Sequence, residues 1–458
     1  MSTKKGLWRR AVLGAAVVAF GSVATARADV VTDQGASIIV FPKIRVNIEN
    51  AGAVKTDTII EVTNTATFLV KAHCFLINAN SHCSNADPTG TPAVPLVCQT
   101  NADCNPTPIR GGICQPTTWP NHDFNLTLTK RQPLSWRASE GLANPCPSSF
   151  TNEECQQGNF VPLSGGRTSI DGQSNEDTRA LAAEEDPFTG ELKCIQVDPV
   201  SELPFDRNDL KGEATIVNVD SGGGVDAAKY NAIGIQATGF QDTSPTQLTL
   251  GGPNPEYNAC PSVIILDHFF DTPPLPAGRL STSAGVETHN DGTGTSTVTG
   301  AVATDLIVVP CTEDLLHQDP TPGNATLQFL IYNEFEQRFS TSTRVNCYKE
   351  VQLSDIDTRV GTSDNASSIY SAGVQGTLTG QTRIRPVTGI DGGRRVLAIA
   401  QERWTDSDND FLEFVHTTAR NLQTIQRQPD DIGPIGLPDT IQITCPSGGA
   451  PNEDGTCS

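Results

Sequence analysis

Methionine is all but missing from this chain, with one residue in 458, and basic side chains are few: 31 Lys and Arg stand against 52 Asp and Glu. The resulting formal charge of −21 argues against nucleic acid or anionic lipid as partners, since both require a basic face. No phosphate loop, dinucleotide fingerprint or His-Glu-x-x-His motif occurs, so the chemistry those motifs carry is not expected. Beyond residue 24 there is no apolar run long enough for a membrane span. Helical periodicity is nearly missing too; a small helix at Asp177–Glu185 is the one such signal, carried by Ala and Glu.

What is there points outward. Lys4, Lys5, Arg9 and Arg10 precede the apolar run Ala11–Ala24, and Ala26-Arg27-Ala28 supplies small residues for cleavage. Residues 1–28 therefore read as a secretory signal cleaved after Ala28, and the protein is expected to be secreted, in the periplasm or at the cell surface. All thirteen Cys follow that segment, and in an oxidising compartment disulfides are the default. Cys98, Cys104 and Cys114 mark a stapled loop with little apolar content, and Cys146/Cys155 and Cys445/Cys457 read as local pairs. Zinc is the rival reading, but no close Cys-x-x-Cys or His pair accompanies these residues. The odd count leaves one thiol free or one bridge between chains.

Short Thr- and Val-rich apolar runs separated by Gly, Pro, Asn and Ser predict an all-β chain of two immunoglobulin-like β-sandwich domains with a disulfide-rich loop insertion. The expected division is 29–272 for the first sandwich, 273–300 for a linker, 301–428 for the second and 429–458 for a Pro- and Gly-rich tail. Thr56–Ile77 reads as a β-hairpin turning at Asn64-Thr65-Ala66-Thr67, and Ser262–Phe270 as a strand buried on both faces. A duplication underlies the two-domain reading. Ile38–Pro42 is echoed by Leu306–Pro310, and sixteen residues after each Pro a Thr opens a strand, at Thr58 and Thr326. A second arm ends in Cys both times, at Cys74 and Cys347. This strand-then-hairpin unit resembles the first strands of pilus-chaperone-like immunoglobulin domains over about forty residues per copy.

Two constellations bear on function. Lys71-Ala72-His73-Cys74, Asn121-His122-Asp123 and Asp220-Ser221-Gly222-Gly223 resemble the His, Asp and Ser motifs of the trypsin-like serine proteases. That resemblance implies Ser221 as nucleophile, His73 as its base and Asp123 as the group orienting the imidazole. Val219 stands where that family has an oxyanion-hole Gly, the Cys before the Ser motif is absent, and no Ile-Val-Gly-Gly start follows the signal. The reading adopted is non-catalytic, with Asp220–Gly224 as a turn. Asp406, Asp408, Asp410 and Glu413 place carboxylates at near-alternate positions, a donor set suited to Ca²⁺. Phe411 and Thr417 replace the Gly and Glu of the helix-loop-helix calcium motif, so an acidic hairpin loop is the competing reading. No other cofactor is expected. The functional expectation is a structural or binding protein of the bacterial-type cell surface or extracellular space, its partner a protein or a glycan met through loops such as Asp87–Pro120.

Overall fold

The computed structural model describes residues 30–48, 54–86, 95–98, 101–104, 112–117, 120–141, 180, 182–219, 225–239, 248–251, 255–271, 286–290, 295–311, 323–357, 368–387, 394–408 and 411–425. These residues are almost entirely antiparallel β-structure. The amino-terminal half supplies β1 (Val30–Val31), β2 (Ile38–Ile48), β3 (Val54–Asn64), β4 (Val70–Asn78), β5 (Ser81–Ala86), β6 (Pro95–Cys98), β7 (Cys114–Gln115), β8 (Asn121–Leu128) and β9 (Pro133–Arg137). There follow β10 (Phe188–Val197), β11 (Leu210–Val219), β12 (Val225–Asn231) and β13 (Ile233–Ile235). The remainder supplies β14 (Val263–Phe269), β15 (Val286–Asn290), β16 (Thr295–Pro310), β17 (Asn324–Asn333), β18 (Arg338–Asn346) and β19 (Lys349–Gln352). Last come β20 (Thr379–Pro386), β21 (Val396–Asp408), β22 (Phe411–Asn421) and β23 (Gln423–Ile425), with two single-turn helices, α1 (Leu353–Ile356) and α2 (Ala372–Gln375). The described part of 177–185 is not helical: it lacks the apolar stripe that would anchor so short a helix.

A ten-stranded sheet ordered β12-β11-β3-β2-β10-β4-β8 folds back on itself at β2, and β1, β9 and β13 pair off its path. The first part of β2 pairs with β10, whereas Asn47 and Ile48 pair with β3. The two halves face each other around Phe41, Ile44, Ile60, Val62, Cys74 and Leu126, all nearly inaccessible. Contact between the halves is tight enough that a Cβ on Gly212 would lie 2.4 Å from Phe41 Cζ. Cys74–Cys194 links β4 to β10 within one half.

Thr56–Ile77 is therefore not a hairpin. β3 pairs with β11 and β9, while β4 pairs with β10 and β8, so the chain arches from one half of the sandwich to the other. Asn64 holds the arch. Buried, it donates from Nδ2 to the carbonyls of Phe68 (2.7 Å) and Thr129 (2.9 Å) and accepts from Ala66 N–H (2.8 Å). In β17 and β18, by contrast, a true hairpin forms with Asn324 opposite Asn346, and Asn333 Oδ1 caps its turn by accepting from Phe335 and Gln337 N–H. The same turn chemistry serves two topologies, so the equivalence expected of a duplication is not present.

A second sheet, ordered β15-β16-β21-β22 with β19 beside β16, and a third, ordered β18-β17-β20-β14-β23, complete the body. In the second sheet Leu306, Val308, Ala398 and Ala400 pack into one core with Leu327, Phe329 and Ile384 of the third. Their neighbours Ile307, Val309, Leu397 and Ile399 pack into the other core with the ten-stranded sheet. Around Leu306–Val309 and Leu397–Ala400 the second sheet is thus buried on both faces and common to two cores, giving a stack of four β-layers. Residues 286–290 and 295–300, expected as linker, are strands of this shared sheet. β14, expected in the first sandwich and buried on both faces, pairs with β20 and β23 in the third sheet and alternates buried and accessible residues.

His268 lies in the second core beside Phe270 and Tyr370, with Nδ1 3.0 Å from the Phe269 carbonyl and Nε2 2.9 Å from Thr382 Oγ1. Burial pulls its pKa from 6.5 down to about 4. The unfolded chain thus takes up this proton before the folded one does. The neutral imidazole's contribution is complete above pH 6.5 and drains away as pH falls toward 4, by about 1.4 kcal/mol per pH unit. Chemical unfolding across that window should show a shallower acid slope for His268→Gln than for wild type, although the variant is weaker at neutral pH. Parallel slopes would count against it.

Candidate functional site

The ends of the ten-stranded sheet and the shared sheet bound a groove of about 1450 Å³. β2 contributes through a bulge. Gly190 pairs with Ile44 and Leu192 with Phe41, so Pro42 and Lys43 together oppose the single Glu191. Proline, having no N–H to give the ladder, is tolerated at such a position, and the extra residue re-aims the side chains that follow. Lys43 and Arg45 thereby turn to the groove, while Ile44 and Val46 stay in the core.

Lys43 is 2% exposed, and its Nζ donates to Glu350 Oε1 at 2.7 Å and to Gln401 Oε1. Its backbone is fixed as well, since Tyr230 Oη donates to the Lys43 carbonyl at 2.5 Å. Tyr348 Oη donates to Glu350 Oε2 at 3.1 Å, and Arg45 Nε lies 3.9 Å from the same oxygen. Burial would raise the Glu350 carboxyl, but the Lys43 and Arg45 cations overcome it and hold the pKa below its ordinary value. Further along, Arg403 grips Asp305 with two hydrogen bonds, of 2.6 and 2.9 Å, and donates to Gln352 Oε1. Lys43–Glu350 and Arg403–Asp305 are thus ion pairs in the groove wall, which also carries Lys349, Asp226 and Asp355. Between them stand Asn47, Asn80, Ser81 and Asn218, which offer hydrogen bonds without net charge.

The cysteine-rich insertion borders this groove through Val97 and Cys98. Its strands β6-β5-β7 are cross-linked by Cys83–Cys104 and Cys98–Cys114. The sulfurs of Cys83, Cys98 and Cys104 lie within 4.8 Å of one another, but as members of two disulfides they offer no thiolates to zinc. Cys260–Cys311 forms a further bridge, and among the described residues Cys347 is the free thiol, buried. Cys146, Cys155, Cys445 and Cys457 lie outside the described residues.

Part of the protease-like constellation lies among the described residues. His73 Nε2 does meet Asp123 Oδ2, at 3.1 Å, on adjacent strands β4 and β8. Ser221 lies outside the described residues, but its flanking residues Val219 and Val225 line the groove. His73 sits in the row of Ile195 and Ile38, whereas β11 reaches that groove from the row of Asn218, Thr56 and Asn47.

Asp406 and Asp408 are on β21 and Glu413 on β22, and Asp408 pairs with Phe411, so the acidic cluster spans a hairpin. Asp410 and the carboxylates of the other three lie outside the described part.

Sequence reading did not find the groove's ionic core. Lys43 and Glu350 are 307 residues apart, and the local signal was a lysine following Pro42 at the point where β2 changes from an apolar run to alternation with Arg45 and Asn47.

No family model matches the sequence, and no curated protein matches it. Among solved structures there is a similarity to the M60 catalytic domain with the CBM51-1 and CBM51-2 domains of Clostridium perfringens ZmpB. It has 9% identity over 85% of this chain and 34% of that one, with a TM-score of 0.12, so this chain spans about a third of that protein's length.

Proposed function

We propose that this is an exported, disulfide-stabilised, non-catalytic structural or binding protein of the cell surface or extracellular space. Its partner is a glycan or protein seated in the groove beside the stapled insertion. The carrying observation is the groove itself. Its four cations and four carboxylates cancel in number, two of each held in the ion pairs Lys43–Glu350 and Arg403–Asp305, which suits a neutral hydrogen-bonding partner better than bond-making chemistry. The four disulfides among the described residues support an oxidising destination, and no helix there is long and apolar enough to cross a membrane. Fractionation of the producing cells with protease shaving tests the reading. The chain should be recovered outside the cytoplasm with its disulfides formed; a reduced cytoplasmic pool carrying residues 1–28 would defeat it.

A further inference from the structure

The third sheet turns one face to the second core and the other to solvent. On β17 the buried set is Ala325, Leu327, Phe329 and Ile331, so Thr326, Gln328, Leu330 and Tyr332 point outward. Strand register then lays out the outer face in rows. Arg338, Tyr332, Gln381 and Asp267 form one row; Ser340, Leu330, Arg383 and Ile265 form the next. Ser342, Gln328 and Arg385 form a third, and Arg344 with Thr326 a fourth. Four arginines against the one carboxylate of Asp267 share these rows, on a chain whose formal charge is −21.

Their positions are held by the sheet. Arg385 Nε and Nη2 donate to Gln328 Oε1 at 2.8 and 2.5 Å, and the Arg383 guanidinium lies 5.6 Å from the centre of the Tyr332 ring. With ordinary β spacings, Arg383 and Arg385 are about 7 Å apart along one strand and Arg338 and Arg344 about 20 Å apart along another. Guanidinium forks at intervals on a flat face match carboxylates or sulfates repeated along an extended chain. Gln328, Gln381, Ser340 and Ser342 between them suit the hydroxyls of intervening sugars.

We infer that this outer face, made by β18, β17 and β20, is a docking surface for an anionic polysaccharide. Nucleic acid fits less well, because its denser charge would meet the negative field of the rest of the molecule. The proposal concerns a surface separate from the groove and does not depend on it.

Purified full-length protein should be titrated with polygalacturonate, with neutral dextran, polyglutamate and single-stranded DNA as comparisons. Polygalacturonate should bind, more weakly as salt rises, while dextran does not. Arg383→Gln/Arg385→Gln should weaken it by about tenfold or more, and Arg383→Lys/Arg385→Lys by less, since charge remains without the fork. Both lie on the outer face, Arg383 exposed and Arg385 partly so, and neither packs into a core, so both variants should unfold within a few degrees of wild type. No polygalacturonate binding, equal binding by dextran, tighter binding of DNA or polyglutamate, or an unaffected Gln variant would each overturn the inference.

Discussion

Ile307→Asp and Val308→Asp, adjacent in β16, are both expected to prevent folding. On a sheet with one solvated face, only one of two neighbouring positions is intolerant, because side chains alternate between faces. β16 has no solvated face at this point: Ile307 belongs to one core and Val308 to the other, each about 1% exposed or less. An unpaired carboxylate buried at either site costs several kcal/mol, comparable with the stability of a typical domain. The third sheet gives the contrast. Leu327→Asp should unfold the protein, whereas Gln328→Asp, on the outer face, should fold. Soluble yield and urea midpoints for the four variants check this. If Ile307→Asp or Val308→Asp folded as well as Gln328→Asp, the shared sheet would not be buried on both sides.

Lys43→Met should be the most damaging single change in the groove, at about 3–5 kcal/mol, because it strands Glu350 in a buried site. Arg45, at 3.9 Å and more exposed, is a poor substitute for the 2.7 Å contact with Lys43. Replacing both partners, in Lys43→Met/Glu350→Leu, should recover most of the loss, since neither charge is then left alone. A double-mutant cycle measures this directly. Purely additive losses would mean that the pair contributes no coupling and that the Lys43 environment is wetter than its burial implies.

The strands were legible in the sequence because alternation survives wherever one face meets a core, as in β17, where every second residue is buried. Pairing partners were less legible. Asn64 and Asn333 both close a strand with side-chain hydrogen bonds to nearby backbone, yet one leads across the sandwich and the other back along the same sheet. Local turn chemistry does not encode that choice; the apolar faces that must be covered do. Double burial left a partial trace: Leu306–Pro310 and Val396–Ala400 are continuous apolar runs covered on both sides, whereas β10, also buried at consecutive residues, carries Glu191, Lys193 and Gln196. Ser262–Phe270 looked similar, but Asp267 marks its open face. The Lys43–Glu350 site had no such trace, because it exists only once the bulge at Pro42 and the end of β19 are brought together.

Because one sheet serves two cores, the four layers should stand or fall together. Native-state hydrogen exchange tests this most directly, by comparing the slowest amides of β3, β16 and β17. All three should exchange through the same global opening, with one free energy and one urea dependence. If the amides of β17 and β20 opened at a distinctly lower free energy while β3 and β11 stayed protected, the protein would be two independent sandwiches.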